Sequence, residues 1–340
     1  MATIDILNLE PSKIKPGLEG KIITLAGLPK CGKSTFASKA DKPLFISTEP
    51  GLGLLSGIKA VPCNTWTEFK QIVKQLKTDE AKAMYKTVVI DTVTNLWEEC
   101  AKFVWMQKND GTDLADYTTG VAQNKSMPEF SQGIMDIAKA GYTIIMICHN
   151  VAKDVPNELG FKYGTEIIID LPKRPRRFIF GLCDLLINVI TEPSENGPDK
   201  ATMYLRQATH NGIKVEAGGR YPDIAEKAPF NYETLIQLVE AEDKKMAEAG
   251  ADMGATQSTI QTTIVDPTVR EWKEVVQEVN ETLKVVAEKS NGGDSKISAQ
   301  AKAIIASYLG ENNKITEASP SQQELVEAAL VDLKALVAGK

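Results

Sequence analysis

Lys33 and Ser34 are the residues whose neighbours make their chemistry most legible. They close Gly27-Leu28-Pro29-Lys30-Cys31-Gly32-Lys33-Ser34, a G-x-x-x-x-G-K-S pattern, with Thr35 directly after it. That spacing builds a phosphate-binding loop. The glycines let the backbone turn around phosphates with its N–H groups inward, and a helix starting near Lys33 adds the positive end of its dipole. In such a loop Lys33 reaches the terminal phosphates and the Ser34 hydroxyl holds Mg²⁺. Residues 27–35 are therefore the candidate nucleotide-binding segment, and a triphosphate with Mg²⁺ is the ligand they suit.

Two acids are placed to complete such a site. Glu49 follows the apolar run Pro43–Ser47, and Asp91 closes the run Tyr85-Lys86-Thr87-Val88-Val89-Ile90. If both runs are buried strands of one sheet, their ends open into the crevice where ligands bind in doubly wound folds. Asp91 is then the second half of the nucleotide site, a carboxylate that orients the Mg²⁺ shell, and Glu49 a candidate catalytic base. The pair His149-Asn150 ends a third run, Tyr142–Cys148, and could sense the terminal phosphate from there. A core histidine or a cap would fit the same position.

The elements that must carry these residues follow from periodicity. Ile22, Ile23 and Leu25 precede the loop as a short apolar strand, while Trp66, Phe69, Ile72, Val73 and Leu76 recur at helical spacing. Helices are expected over 95–106 and 128–140, with a long polar stretch between them. Residues 151–170 carry Pro156, Gly160 and Gly164 and read as a loop or hairpin, and 184–190 with 201–208 read as paired antiparallel strands. A helix is expected over 231–248. The composition then turns small and polar through 249–265, a linker, before three helical patterns at about 267–289, 298–309 and 321–337. The expected organisation is an α/β nucleotide-binding domain over 1–248 and a small helical module over 266–340.

Composition narrows the function classes. The 340 residues are 43% hydrophobic and 25% charged, ordinary for a globular protein. Five scattered cysteines and two histidines offer no zinc-type spacing and fit a reducing cytosol. No apolar run is long enough to span a membrane, and the first twenty residues lack the features of a secretory signal, so a cytoplasmic location is expected. A net charge of −6 does not advertise nucleic-acid binding. The tail over 266–340, with 9 basic against 12 acidic residues, is a poor candidate for holding DNA and a better one for protein contact or self-assembly.

Local cations qualify that picture. Lys173, Arg174, Arg176 and Arg177 form the densest basic cluster, suited either to a phosphodiester backbone or to the solvated first turns of a helix. Lys214 and Arg220 flank Gly218-Gly219. A cation on such a tip could reach a neighbouring subunit's γ-phosphate, and a surface hairpin with solvated cations fits equally.

Phe45-Ile46-Ser47-Thr48-Glu49-Pro50-Gly51 and Val88-Val89-Ile90-Asp91-Thr92, taken with the loop and with His149-Asn150, resemble the RecA-type P-loop ATPase core. The resemblance covers about residues 18–240. Within that group the chain is most similar to short bacteriophage nucleotide-binding proteins of single-strand annealing and recombination, which would set it in the cytoplasm of a bacterial host. The resemblance implies a mostly parallel sheet with helices on both faces and an antiparallel extension. It further implies ATP hydrolysis with Mg²⁺, in which Glu49 activates water, His149 senses phosphate and Arg220 or Lys214 acts on a neighbour in a ring or filament. Single-stranded DNA would lie along loops at 107–127 and 150–177, which bring Lys108, Lys125, Lys153 and Lys162 to the basic cluster. A single-strand-binding or recombination protein would be a partner for the C-terminal helices. Departures from the pattern are His-Asn where bacterial recombinases usually carry glutamine, and the helical tail. A small-molecule kinase and an assembly protein with little turnover are the competing classes.

Overall fold

The structure, a computed structural model, describes residues 11, 13–108, 120–155, 164–193, 199–254, 272–292, 296–310 and 313–338. They fall into two compact units, one within Ile6–Ile264 and one within Val265–Lys340.

The larger unit is built on a parallel sheet. Its strands are β1 (Ile22–Gly27), β2 (Pro43–Ser47), β3 (Lys59–Pro62), β4 (Thr87–Asp91), β5 (Thr143–Cys148) and β8 (Leu185–Glu192), in the order β8-β1-β5-β4-β2-β3. The phosphate-loop strand β1 is thus separated by β5 from the strand that ends in Asp91. Antiparallel pairing extends the sheet beyond β8 through β9 (Lys200–Tyr204), β12 (Gly218–Gly219) and β13 (Lys227–Pro229). The expected architecture, a mostly parallel sheet with an antiparallel extension, is the observed one.

Both faces of this sheet are covered, which is why β1, β4 and β5 are buried along their whole length and read as unbroken apolar runs. Alternate residues divide between two cores. Ile22, Ile46, Val88, Ile90 and Ile144 pack with Trp66, Phe69, Leu96, Trp97, Phe130 and Ile134 of α2 (Trp66–Leu76), α4 (Val93–Lys108) and α5 (Gly120–Lys139). Ile23, Leu25, Phe45, Val89 and Ile145 face the opposite core, with Phe36 of α1 (Lys33–Ala37) and Tyr232, Leu235 and Val239 of α7 (Tyr232–Glu248). Phe36 stacks on Phe230 at 4.7 Å between centroids and meets Tyr232 edge-on at 5.2 Å. α2 is started by a reciprocal capping box between Thr65 and Glu68, and α7 by Asn231, whose Oδ1 accepts from the Glu233 and Thr234 amides. α3 (Asp79–Met84) links α2 to β4.

A second, four-stranded sheet lies beside the first. β6 (Asn150–Val155) and β7 (Gly164–Ile169) form an antiparallel hairpin, β11 (Ile213–Val215) runs parallel to β7, and β10 (Ala208–His210) closes the edge. α6 (Lys173–Leu182) follows the hairpin.

Two expectations are corrected. Residues 120–127 are helical, not loop; Ser126 there is fully buried, its carbonyl 3.9 Å from the Cys100 thiol on α4, so tertiary packing overrides a polar sequence interrupted by Pro128. Gly218-Gly219 is a strand on β8 and not a tip. A Cβ on Gly219 would collide with the Asp184 carbonyl and the Leu185 side chain, so close backbone approach explains the glycine. Residues at the start of the expected linker are held as well, since Ile14 bridges Met253 and accepts from the Gly254 amide.

The smaller unit packs α8 (Trp272–Asn291), α9 (Ile297–Leu309) and α10 (Gln323–Ala338) around Val275, Val279, Ala301, Leu309, Val326, Leu330 and Leu333. This agrees with the three helical patterns of the sequence.

Candidate nucleotide site

The loop from β1 to α1 is shaped by backbone that few residues adopt. Gly32 has φ 91° and caps α1, and Lys30 has φ 66°. Lys33 is 6% exposed, and its ammonium donates to the carbonyls of Gly27 at 2.8 Å and Leu28 at 2.7 Å. It also lies 3.8 Å from the Cys31 sulfur. Burial pushes the Cys31 thiol up despite that ammonium. Leu28, Pro29, Lys30 and Thr35 are exposed on the loop's rim.

Across from the loop, Ser34 Oγ donates to Asp91 Oδ2 at 2.7 Å. Asp91 is 5% exposed, and burial, with the Glu49 charge nearby, pushes its carboxyl above the ordinary range although Ser34 and Lys33 oppose the shift. A desolvated carboxylate beside a hydroxyl fits a hard divalent cation that takes its remaining ligands from phosphate and water. Among the described residues no cluster of three His, Cys, Asp or Glu forms an all-protein metal site. The Ser34–Asp91 pair suits Mg²⁺ arriving with a phosphate ligand.

Glu49 sits just beyond β2, where Ser47 Oγ bonds its backbone carbonyl at 2.8 Å. One carboxylate oxygen, Oε2, is held at 3.2 Å by Asn95 Nδ2 and lies 3.8 Å from His149 Nε2. The other ring nitrogen of His149, Nδ1, is buried without a hydrogen-bond partner among the described residues. Thr48 fastens this end of the sheet to the next strand: its amide donates to Asp91 O, and its hydroxyl accepts from Thr92 N at 2.8 Å. Lys33, Ser34, Glu49, Asp91 and His149 are thus gathered at the carboxyl ends of β1, β2, β4 and β5.

The other candidate residues fall elsewhere. Arg220 donates to Asp184 Oδ1 at 2.9 Å, and Asp184 Oδ2 accepts the amide of Ile22, so Arg220 stands at the opposite end of β1 from the phosphate loop. Lys214 is on β11, 3.5 Å from Glu166. Lys153 is exposed on a strand, paired in register with Glu166, and Lys125 is on α5 with its ammonium 5.3 Å from the Trp105 ring centre. Neither lies in a loop. The side chain of Lys108, and Lys162 altogether, lie outside the described residues. Lys173, Arg174 and Arg177 are exposed and, with Met127, line a surface cavity of about 500 Å³, whereas Arg176 turns inward to within 3.9 Å of Glu216.

Asn95, Thr48 and Asn188 are polar residues of this region that belong to no motif of the sequence. Asn188 alone carried a signal, an amide inside the apolar run Leu185–Ile190.

Set against known proteins, residues 19–221 match the family model described as AAA domain. The chain belongs to this family. Its core is a P-loop α/β fold, with the AAA-domain match covering the loop and all three acid- or histidine-bearing strand ends. The SPbeta prophage-derived uncharacterized protein YorG of Bacillus subtilis (strain 168) is 27% identical over 349 residues, covering 98% of this chain and 99% of that one. Solved structures similar to this AAA-domain chain include the flagellar accessory protein FlaH of Methanocaldococcus jannaschii, at 13% identity, 56% and 79% coverage and TM-score 0.32. A KaiC-like protein of Pyrococcus horikoshii OT3 matches at 14% identity, 58% and 84% coverage and TM-score 0.33. Among the described residues no helix is long and apolar enough to cross a membrane.

Proposed function

We propose that this AAA-domain protein hydrolyses ATP with Mg²⁺ and acts on single-stranded DNA in phage-type recombination, annealing or replication. The observation that carries the hydrolytic reading is Glu49, held by Asn95 and facing His149, on the same sheet end as the Ser34–Asp91 pair. Lys33 would leave its two loop carbonyls for the terminal phosphates. Ser34 and Asp91 would hold Mg²⁺, which when bound neutralises phosphate charge. Glu49 would orient and deprotonate the attacking water, and His149 would report the terminal phosphate.

The DNA reading is supported by Lys173, Arg174 and Arg177, exposed side by side and without an ion-pair partner among the described residues. Assembly belongs to the same proposal: in a ring or filament, Arg220 or Lys214 would exchange Asp184 or Glu166 for a neighbour's phosphate. The small helical unit would then be the contact for a single-strand-binding or recombination protein.

The test is ATP turnover by the full chain and by Lys33→Ala, with products identified. Release of ADP and phosphate that falls by about 100-fold or more in a folded Lys33→Ala protein supports hydrolysis. A phosphorylated small molecule would make the protein a kinase, and binding without turnover even when assembled on DNA would make it an assembly protein. Oligothymidylate titrated at low salt tests the DNA arm; no binding there removes it.

A further inference from the structure

We propose that Asn188 and Glu216 are positioning residues that couple the nucleotide site to the cationic helix α6. The inference rests on the nucleotide-binding reading and extends it to a path within this chain.

Asn188 is fully buried on β8, between Ile187 and Val189 in the centre of the sheet. Both polar atoms of its side chain are engaged: Oδ1 accepts from Asn150 Nδ2 at 2.7 Å, and Nδ2 donates to the Glu216 carbonyl at 3.2 Å. Its two partners are a side-chain amide and a backbone carbonyl, so Asn188 ties β6 to the segment that follows β11 through a single side chain. Asn150 directly follows His149, whose ring faces Glu49. One end of the contact is therefore a single residue away from the nucleotide site.

The other end is Glu216, a largely buried carboxyl that serves two elements at once. Oε2 accepts the amide of Ile169 at 3.0 Å, and Oε1 lies 3.9 Å from Arg176 Nη1 on α6. Ile169 is in register with Asn150, and the next amide, Asp170, donates to the His149 carbonyl at 2.9 Å. His149, Asn150, Asn188, Glu216, Ile169 and Asp170 thus form a closed ring of polar contacts, buried at Asn150, Asn188 and Ile169 and reaching the surface at Asp170. Arg176 is the exit from it. Of the four cations on the first turns of α6, Arg176 alone turns toward Glu216, while Lys173, Arg174 and Arg177 line the outer cavity. A shift of His149 on meeting a terminal phosphate is carried by the ring to the register of β6 on β7 and so to α6.

The experiment is amide hydrogen exchange across α6, with and without ATPγS and Mg²⁺, on the wild type, Asn188→Leu and Glu216→Gln. In the wild type the nucleotide changes α6 exchange; in both variants it binds but the α6 response is lost. Should Asn188→Leu fail to fold, Glu216→Gln, which keeps an oxygen for the Ile169 amide, decides. A wild-type α6 that ignores bound nucleotide, or variants that respond as the wild type does, overturn the coupling. In parallel, oligothymidylate affinity is measured with and without ATPγS, where a coupling of this kind is expected to be about 5- to 150-fold and absent in the variants. An α6 response without oligonucleotide binding refutes the DNA reading alone. Oligonucleotide binding without an α6 response refutes the coupling alone, and failure of the wild type to bind ATPγS refutes both.

Discussion

The two ends of the central sheet are built on opposite terms. At the amino ends of the strands the charged and hydroxyl groups beside β1 and β5 are paired within the chain: Asp184 takes the Ile22 amide and the Arg220 guanidinium, and Thr143 Oγ1 accepts the Gly20 amide and donates to Leu18 O. At the carboxyl ends a lysine is buried against its own loop, a carboxylate is desolvated, and a histidine nitrogen is without a partner among the described residues. Groups paired within the chain hold the fold together, whereas groups buried at a cost are ready to be repaid by a ligand.

The sharpest way to break this contrast is Glu49→Gln. It is expected to lower kcat by about 10²- to 10⁴-fold with little change in nucleotide affinity, measured by steady-state turnover beside equilibrium binding. If turnover survives, the base is another group and the carboxyl end loses its assigned chemistry. At the other end, Asp184→Ala leaves the Ile22 amide unsatisfied and should cost about 1–3 kcal/mol in denaturant unfolding while turnover per folded molecule stays constant.

Asp91→Asn probes the cost of the site itself. Because the folded protein holds the Asp91 proton more tightly than the unfolded chain does, ionised Asp91 weakens the fold. That penalty grows as pH rises from the ordinary carboxylate range through the raised value, and it is fully present above it. In metal-free protein near pH 7 the variant should therefore melt higher, by about 2–4 °C for each kcal/mol recovered, and the gain should vanish in acid as turnover is lost at every pH. An unchanged or lower melting point would mean that the Asp91 charge is already compensated. Smallest of all is Arg220→Ala: the side chain is 61% exposed, so its ion pair is worth under about 1 kcal/mol. A loss of turnover with no change in melting would move Arg220 from the structural end of one subunit to the site of the next.

What could be read ahead of the structure was what is local. Lys33 and Ser34 sit in a contiguous motif, Glu49 and Asp91 close apolar runs of strand length, and the Trp66–Leu76 stripe repeats within one helix. Pairing between distant segments was not legible in the same way. Gly218-Gly219 looks like a turn until β8 is set beside it, and Lys214 looks like part of the same tip until β11 joins β7. The α5 residues before Pro128 show no apolar period, since only contact with α4 makes them helical. Asn95 and Glu216 matter through partners 46 and 47 positions away, a distance over which no spacing rule operates.

The stacking of Phe36 on Phe230 bears on where the working domain ends. α1 is a single short helix, and the aromatic floor beneath it is supplied by residues 230 and 232, past the point where the family match stops at 221. A chain cut at that point would carry the loop lysine, both acids and the histidine, yet it would lose the Phe230 and Tyr232 rings that pack on Phe36. The first helix after the phosphate loop thus takes part of its footing from aromatic residues nearly two hundred positions downstream, so the folded unit that carries the loop extends past the matched segment.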